Sequence, residues 1–521
     1  MSQQTDADRT LPSVVASLPG HYGGPALVLT IIFHPCTDRI GERAVLWQHR
    51  EREPRVLGRL APRFGFGGEQ EGGDPLGDRH VSRRALELSW RGDTLLVERP
   101  ADASRCRLLG RELRDSVSLD TARLRQGVSL MLGHSVVLLL RFADQPVTDS
   151  PVDGDLGLWG SSHYMACLRQ QILRVARDDD DVLIRGETGS GKELVARALH
   201  SASSRADGPL VTVNMAAVPA DLAAAALFGS TRGAFTGADR DSRGYFQQAS
   251  GGSLFLDEVG DMPVEVQPQL LRALQQREIQ SVGGPVTKVD LRVISATDLP
   301  LEGPDCDFRS ALRYRLGAVE IRLLPLREHP EDIGELALRL FAACAEATGA
   351  GKLLPGKHSS EREIAAWTEL FHRLLLHNWP GNVRELSNVC RQVVAASDDG
   401  LTIPEHISLG PRVPNGGESP DGPKPARRHI RDVADPEFER AWKQSGFEPA
   451  GTARSLGVSR QSVYRRIDGS PRYRLASQVP AEELQRALLD CSGDSRGAAA
   501  ALRVSLSALR SVLRNSDLEW H

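Results

Sequence analysis

The sequence predicts a multidomain chain: an N-terminal β-sandwich, a central α/β domain on a parallel sheet, and an all-α C-terminal region. Three observations predict it. Short apolar runs separated by Gly- and Asp-containing turns fill the first part, the pattern of a sandwich. In the middle, apolar strands alternate with amphipathic helical stretches, as in a parallel sheet covered by helices. Between these parts, residues 143–155 and 410–424 are rich in Pro, Gly, Asp and Ser and cannot bury much surface.

The boundaries expected are 1–145 for the sandwich, 146–156 for a linker, and 157–396 for the α/β domain, with a helical lid from about 328. A second linker follows at 397–430, then the helical region at 431–521. The sandwich strands are read at 27–33, 44–47, 86–90, 95–97 and 135–142, and those of the parallel sheet at 182–184, 211–213, 254–256 and 293–296.

Composition excludes several classes. The 521 residues carry 64 Lys and Arg against 68 Asp and Glu, a net charge of −4, so any nucleic-acid contact must be local. The seven cysteines contain no CxxC pair, which argues against disulfides or a cysteine-zinc site. The N-terminus has no basic start followed by an apolar core, so no signal peptide is expected. Apolar stretches are too short to span a bilayer. A cytoplasmic protein without membrane contact is expected.

The strongest motif is Gly186-Glu187-Thr188-Gly189-Ser190-Gly191-Lys192-Glu193, between a strand and a helix. Glycines let backbone N–H groups converge on phosphate oxygens, the helix N-terminus adds positive potential, and Lys192 reaches the terminal phosphates. Glu193 replaces the usual hydroxyl residue, so no hydroxyl there can ligate magnesium. A second half follows in Gly251-Gly252-Ser253-Leu254-Phe255-Leu256-Asp257-Glu258. Asp257 at the strand tip can hold the water shell of Mg2+, and Glu258 can polarise the attacking water. ATP and Mg2+ are the implied ligands. Positive charge opposite the γ-phosphate can come from Arg309, Arg315 and Arg384.

From about 158 to 394 the chain resembles the AAA+ domain of sigma-54-dependent activators, the bacterial enhancer-binding proteins. The most specific carrier is Gly233-Ala234-Phe235-Thr236-Gly237-Ala238, which in that family is a moving surface loop that touches sigma-54. The resemblance implies roles for matching positions. Lys192 binds phosphate, Asp257 serves magnesium and Glu258 the water. Asn214 holds the catalytic glutamate until the partner loop engages. Arg309 and Arg315 reach a neighbouring subunit's ATP, and Arg384 is the second sensor. Fingers acting in trans imply a head-to-tail ring, a hexamer in the family. The first sensor position, usually Asn, is Asp298. An acid there repels a γ-phosphate unless balanced, which puts the rate and coupling of hydrolysis in question.

Residues 437–467 resemble a Fis-type helix-turn-helix. Ala453, Leu456, Val458, Val463 and Ile467 are spaced to pack two helices about a turn at Gly457. The second helix starts near Ser459 and offers Arg460, Gln461, Tyr464 and Arg465 to double-stranded DNA. Arg454, Arg466, Arg472 and Arg474 are placed for phosphates. Residues 482–514 align roughly with this motif as a second copy, read as a further reader, a degenerate copy or a dimer interface. The interface is favoured because Leu506, Leu509 and Leu513 exceed what a small motif needs.

Residues 26–142 resemble a forkhead-associated domain, a sandwich that binds phosphothreonine peptides. The carriers are Leu57-Gly58-Arg59 and the stretch Asp78-Arg79-His80-Val81-Ser82-Arg83-Arg84-Ala85. Arg59, Ser82 and Arg83 offer charge-assisted hydrogen bonds to a phosphate. Ala85 stands where the family has a histidine. The alternative is a sandwich that docks on the ATPase domain and binds no peptide.

These readings converge on a sigma-54-dependent transcriptional regulator. ATP hydrolysis in a ring remodels the closed complex of sigma-54 RNA polymerase at promoters chosen by the C-terminal motif. The alternative is a DNA-bound regulator that binds ATP for assembly and hydrolyses it poorly. No receiver-like domain is present in the sequence.

Overall fold

A computed structural model describes residues 26–48, 51–66, 73–143, 156–234, 240–303, 307–356, 359–397, 400–404, 407, 409 and, with short gaps, 433–509. Two compact units result, residues 1–412 and 413–521.

The first unit opens with two antiparallel sheets. Six strands run in the order Arg43–Trp47, Ala26–Phe33, Val136–Ala143, Val128–Leu132, Cys106–Leu108 and Arg111–Glu112. Facing them are Ser116–Leu119, Thr94–Glu98, Leu86–Arg91 and Arg55–Leu57. Leu27, Leu29, Ile31, Leu88, Val97, Leu138 and Leu140 belong to the core between the sheets.

Ala26–Phe33 is buried at every residue, although successive side chains of a strand point to opposite faces. The reason lies on its other face. Ile32, Phe33, Ile40, Val137 and Leu139 share a second core with Leu336, Phe341, Trp367, Phe371 and Trp379 of the helical lid. Phe33 and Phe371 pack with ring centroids 4.9 Å apart. Burying each such side chain contributes about 1.5–3 kcal/mol, so the sandwich and lid are joined by a true core. Arg141 with Glu331 and Arg107 with Glu369, each at 2.7 Å, flank it. The sandwich therefore packs on the helical lid.

The central sheet is parallel, in the order Leu210–Asn214, Ser253–Asp257, Arg292–Thr297, Val182–Arg185, Val319–Arg322. Four of its strands are those read in the sequence. The fifth, Val319–Arg322, is a half-exposed edge strand with too weak an apolar run to be read. The lid follows as helices Ile333–Thr348, Glu361–Leu376 and Asn382–Ala395. Leu401, Ile403, Ile407 and Leu409 also pack on the lid core, so this part of the expected second linker is not a free tether.

In the second unit, helices Asp435–Gln444, Pro449–Leu456 and Arg460–Asp468 surround Phe438, Trp442, Ala453, Leu456, Val458, Val463 and Ile467. Helices Ala481–Asp490 and Ser495–Leu502 form a separate small core with Leu484, Val504 and Leu509.

Candidate functional site

The phosphate loop lies between the strand Val182–Arg185 and the helix Lys192–Ser201. Gly191 caps the helix at φ 100°, and a side-chain atom there would meet nothing within 4 Å. The loop backbone is thus open above, as phosphate oxygens require. Gly189, at φ +79°, has a different constraint: a Cβ would stand 2.3 Å from the carbonyl oxygen of Gly381 in the lid. Val383 N–H donates to Gly189 O across 3.1 Å.

Loop and lid are tied more tightly than the sequence indicates. Asn382, fully buried at φ 52°, donates its amide to Glu187 Oε2 and Thr188 O, each at 3.1 Å. Its Oδ1 accepts from Leu326 N–H at 2.9 Å. Arg327 forks onto Glu187 at 2.8 and 2.5 Å. Asn382 lies two residues before Arg384 in the sequence, but nothing in its spacing signals a brace on a loop nearly 200 residues earlier. Arg384, in the first turn of the same helix, is exposed and stands over Gly189.

Lys192 is buried, and its ammonium donates to Gly186 O at 3.1 Å and pairs with Glu258 Oε1 at 3.4 Å. Glu258 follows the strand tip in a left-handed conformation, φ 51°. That backbone is costly for a non-glycine residue and concentrates at working sites. Burial pushes the Glu258 carboxyl above its ordinary range against the pull of Lys192, and the charges of Asp298 and Asp257 push it the same way. A base raised toward the operating pH accepts a proton more readily. Glu258 Oε2 and Ser190 Oγ are buried without a hydrogen-bond partner, the condition of groups that await a ligand or water.

The other site residues fall as follows. The Asn214 amide lies 3.5 Å from Asp257 Oδ2, so in this state it pairs with Asp257 and not with Glu258. Glu193 bonds Arg197 on the exposed side of its helix. The exposed acid Asp298 accepts a hydrogen bond from Thr188 Oγ1. Arg309 is exposed at the N-terminus of helix Ser310–Leu316, its N–H held by Gln267 Oε1 at 2.8 Å. Arg315 donates to Leu274 O at 3.1 and 3.3 Å. At the hexapeptide, Gly233 is at φ +77° and unobstructed, and Ala234 N–H bonds Thr231 O. The bridge between Ser230 and Ser242 closes the base of this loop. Phe235, Thr236, Gly237 and Ala238 lie outside the described residues.

In the sandwich, Arg59 N–H donates to Ser82 O at 2.9 Å, which brings these two together. The Ser82 hydroxyl accepts from Ser104 N–H at 2.7 Å, and Arg83 is exposed.

In the helical unit the five expected core positions are buried, and Tyr464 is half-exposed. Ser459 and the side chains of Arg454, Arg460, Gln461 and Arg465 lie outside the described residues. Two arginines expected on phosphates have partners within the chain. Arg466 bonds Val433 O and Asp435 Oδ1, each at 2.6 Å, and covers the Phe438 ring at 4.9 Å. Arg474 pairs with Glu483. The leucine argument for a dimer face also changes. Leu509 is fully buried in its own core and Leu506 packs against it, while Leu513 is outside the described residues.

A phosphate loop, an acidic strand tip and a helical lid braced on the loop define an ATPase of the AAA+ class. Residues 158–322 match the sigma-54 interaction domain and residues 327–412 the AAA+ ATPase lid domain. The transcriptional regulatory protein ZraR of Klebsiella oxytoca is 38% identical over 67% of this chain and 75% of its own length. The DNA-binding transcriptional regulator NtrC of Bradyrhizobium is 46% identical over 48% of this chain and 50% of its own. The crystal structure of NtrX from Brucella abortus in complex with ATP is 33% identical, with a TM-score of 0.42, over 60% of this chain and 69% of its own. The chain belongs to the family of sigma-54-dependent transcriptional regulators. It spans about a third of the E. coli activator HyfR, at 36%, and half of NtrC, at 50%.

Proposed function

We propose that this chain is an ATP-hydrolysing activator that remodels the closed complex of sigma-54 RNA polymerase at promoters selected by its C-terminal helices. The observation that carries the reading is the nucleotide site itself: Lys192 and Glu258 face one another 3.4 Å apart beneath a loop braced by the lid. Magnesium-bound ATP supplies the γ-phosphoryl group, and the donor set fits it. Asp257 offers a carboxylate at the strand tip, Ser190 Oγ and Glu258 Oε2 are unsatisfied, and the backbone above Gly191 is open.

The chain's own groups then divide the work. Lys192 and the loop N–H groups bind phosphate, and Asp257 would hold the magnesium ion, which would neutralise phosphate charge. Glu258 orients the attacking water and takes its proton. Asn214 sits one strand away, where a change of partner from Asp257 to Glu258 links hydrolysis to the loop 233–238. Arg309, exposed at a helix N-terminus, and Arg315 serve a neighbouring copy's nucleotide, so a ring of subunits is the working form. Arg384 reports the nucleotide to the lid.

Arg460, Gln461, Tyr464 and Arg465 read double-stranded DNA upstream of the promoter. The sandwich is of forkhead-associated type. Arg59, Ser82 and Arg83 offer a phosphothreonine site, and its docking on the lid gives it leverage over lid movement.

The second reading, an assembly-only regulator, rests on Asp298. Thr188 donates to that acid and disperses part of its charge, which favours the hydrolysing form. The test is ATP turnover and remodelling of a sigma-54–promoter complex by the full chain, with Glu258→Gln and Thr236→Ala alongside. Turnover with remodelling in the wild type, and no remodelling in either variant, is the expected result. Absence of turnover overturns the hydrolysing form. Turnover without any engagement of sigma-54 overturns the activator reading.

A further inference from the structure

We propose that His80, His134 and Glu361 form a site for a divalent transition-metal ion of the zinc class, which staples the N-terminal sandwich to the lid. The two histidines come from different sandwich loops, and Glu361 opens the lid helix Glu361–Leu376. One nitrogen of each ring and a carboxylate oxygen of Glu361 all lie within 4.8 Å of one another. The imidazole centroids are 4.2 Å apart, and His80 Nε2 is 3.7 Å from Glu361 Oε1. Zinc holds such donors at about 2.0–2.2 Å in a tetrahedron, so they stand roughly 3.3 Å from each other. The Glu361 side chain is 79% exposed and has room to swing toward an ion held by the two rings.

The histidines are held in place and Glu361 is available. Asp78 Oδ1 accepts from His80 N–H at 2.8 Å and from the Ser135 hydroxyl at 2.7 Å, tying the two loops together. Gly133, at φ +59°, lets the second loop come so close that a Cβ would stand 2.7 Å from His80 O. These contacts fix the two loops that carry the rings. On the lid side, Ser360 and Glu363 form the helix capping box, so Glu361 is not needed for the cap. Two imidazoles and a carboxylate suit zinc, cobalt, nickel or copper over magnesium or calcium, which prefer oxygen ligands. The site is independent of the nucleotide reading, because none of its residues belongs to the phosphate loop or the acidic strand tip.

The test uses the full chain, without an affinity tag and freed of metal by a chelator. Zn2+ is titrated by calorimetry and Co2+ by absorption. One equivalent is expected to bind with micromolar Kd, with the intense visible bands of tetrahedral Co2+ and a raised Tm on zinc addition. His134→Ala and Glu361→Gln each weaken binding at least ten-fold. His163→Ala, whose ring faces Cys167 at 3.3 Å, leaves it unchanged. Failure of the wild type to bind Zn2+ below millimolar concentration overturns the site. Binding that survives Glu361→Gln overturns the staple, since the sandwich then holds the ion alone. Glu361 is at the surface, so this variant decides the matter even if His134→Ala does not fold.

Discussion

Thr188 in the phosphate loop donates its hydroxyl hydrogen to Asp298 Oδ2 across 2.6 Å. Asp298 is thereby tied to the loop that would receive the phosphates. Its charge still acts on the site, because it helps to hold the Glu258 carboxyl above the ordinary glutamate range, after burial as the main cause. Asp298→Asn removes that repulsion, so Glu258 ionises at lower pH. The acid limb of the pH–turnover profile is expected to move to lower pH in Asp298→Asn, measured by steady-state ATPase assays. An unmoved limb would show that the limb does not report Glu258.

Glu258→Gln keeps the shape of the side chain and removes the base. Turnover is expected to fall by about 10²–10⁴-fold, with nucleotide binding retained in a fluorescent-nucleotide titration. Lys192→Ala behaves differently, losing binding itself, because the ammonium contributes charge to the phosphates at any stage of the reaction.

Two glycines report on the lid. Gly334→Ala places a methyl group where Ile32 O would be only 2.4 Å away, at the sandwich–lid contact. Overpacking of this kind costs about 1–3 kcal/mol. It is expected to lower the Tm and open the contact to limited proteolysis, with nucleotide affinity little changed. Gly189→Ala meets Gly381 O at 2.3 Å from the other side. It is expected to weaken nucleotide binding as well, because it parts the lid from the phosphate loop.

The sandwich–lid contact is sensitive to acid through His372. Burial pushes its pKa down to about 4, and Ser129 Oγ stands 3.5 Å from its Nε2. An unfolded chain protonates this group below about 6.5, whereas the folded chain resists until about 4. The unfolded state therefore binds more protons between these values, and stability falls as pH drops through that window. The loss is at most on the order of 3 kcal/mol. His372→Gln is expected to flatten the pH dependence of urea denaturation between pH 7 and 5. An unchanged slope would place the acid sensitivity elsewhere.

Arg466 is held by Val433 O, Asp435 and the Phe438 ring, so it supports the fold of its unit. Arg466→Ala is expected to lower the thermal stability of the helical unit. The salt dependence of DNA binding should stay as it was. A phosphate contact would instead reduce the slope of log K against log salt by about 1.

Local patterns made much of this protein legible. The phosphate loop, the strand ending in Asp257 and Glu258, the small core around Ala453 and Val463 and the sandwich strands each depend on residues close in sequence, where periodicity and turn chemistry act directly. The second cover on strand Ala26–Phe33, the lid, lies far away in sequence.

What the sequence determined by itself was the phosphate-loop ATPase class of the central domain and the family of the chain. Tertiary structure alone decided the partners. Asn382 and Arg327 brace a loop far away in sequence, Thr188 answers Asp298, Arg466 turns inward, and His80 and His134 meet Glu361 across the sandwich–lid contact. The physical reason is that hydrogen bonds and ion pairs act over a few ångströms in space. Sequence spacing carries that distance within one helix, strand or turn, and loses it once the chain folds back on itself.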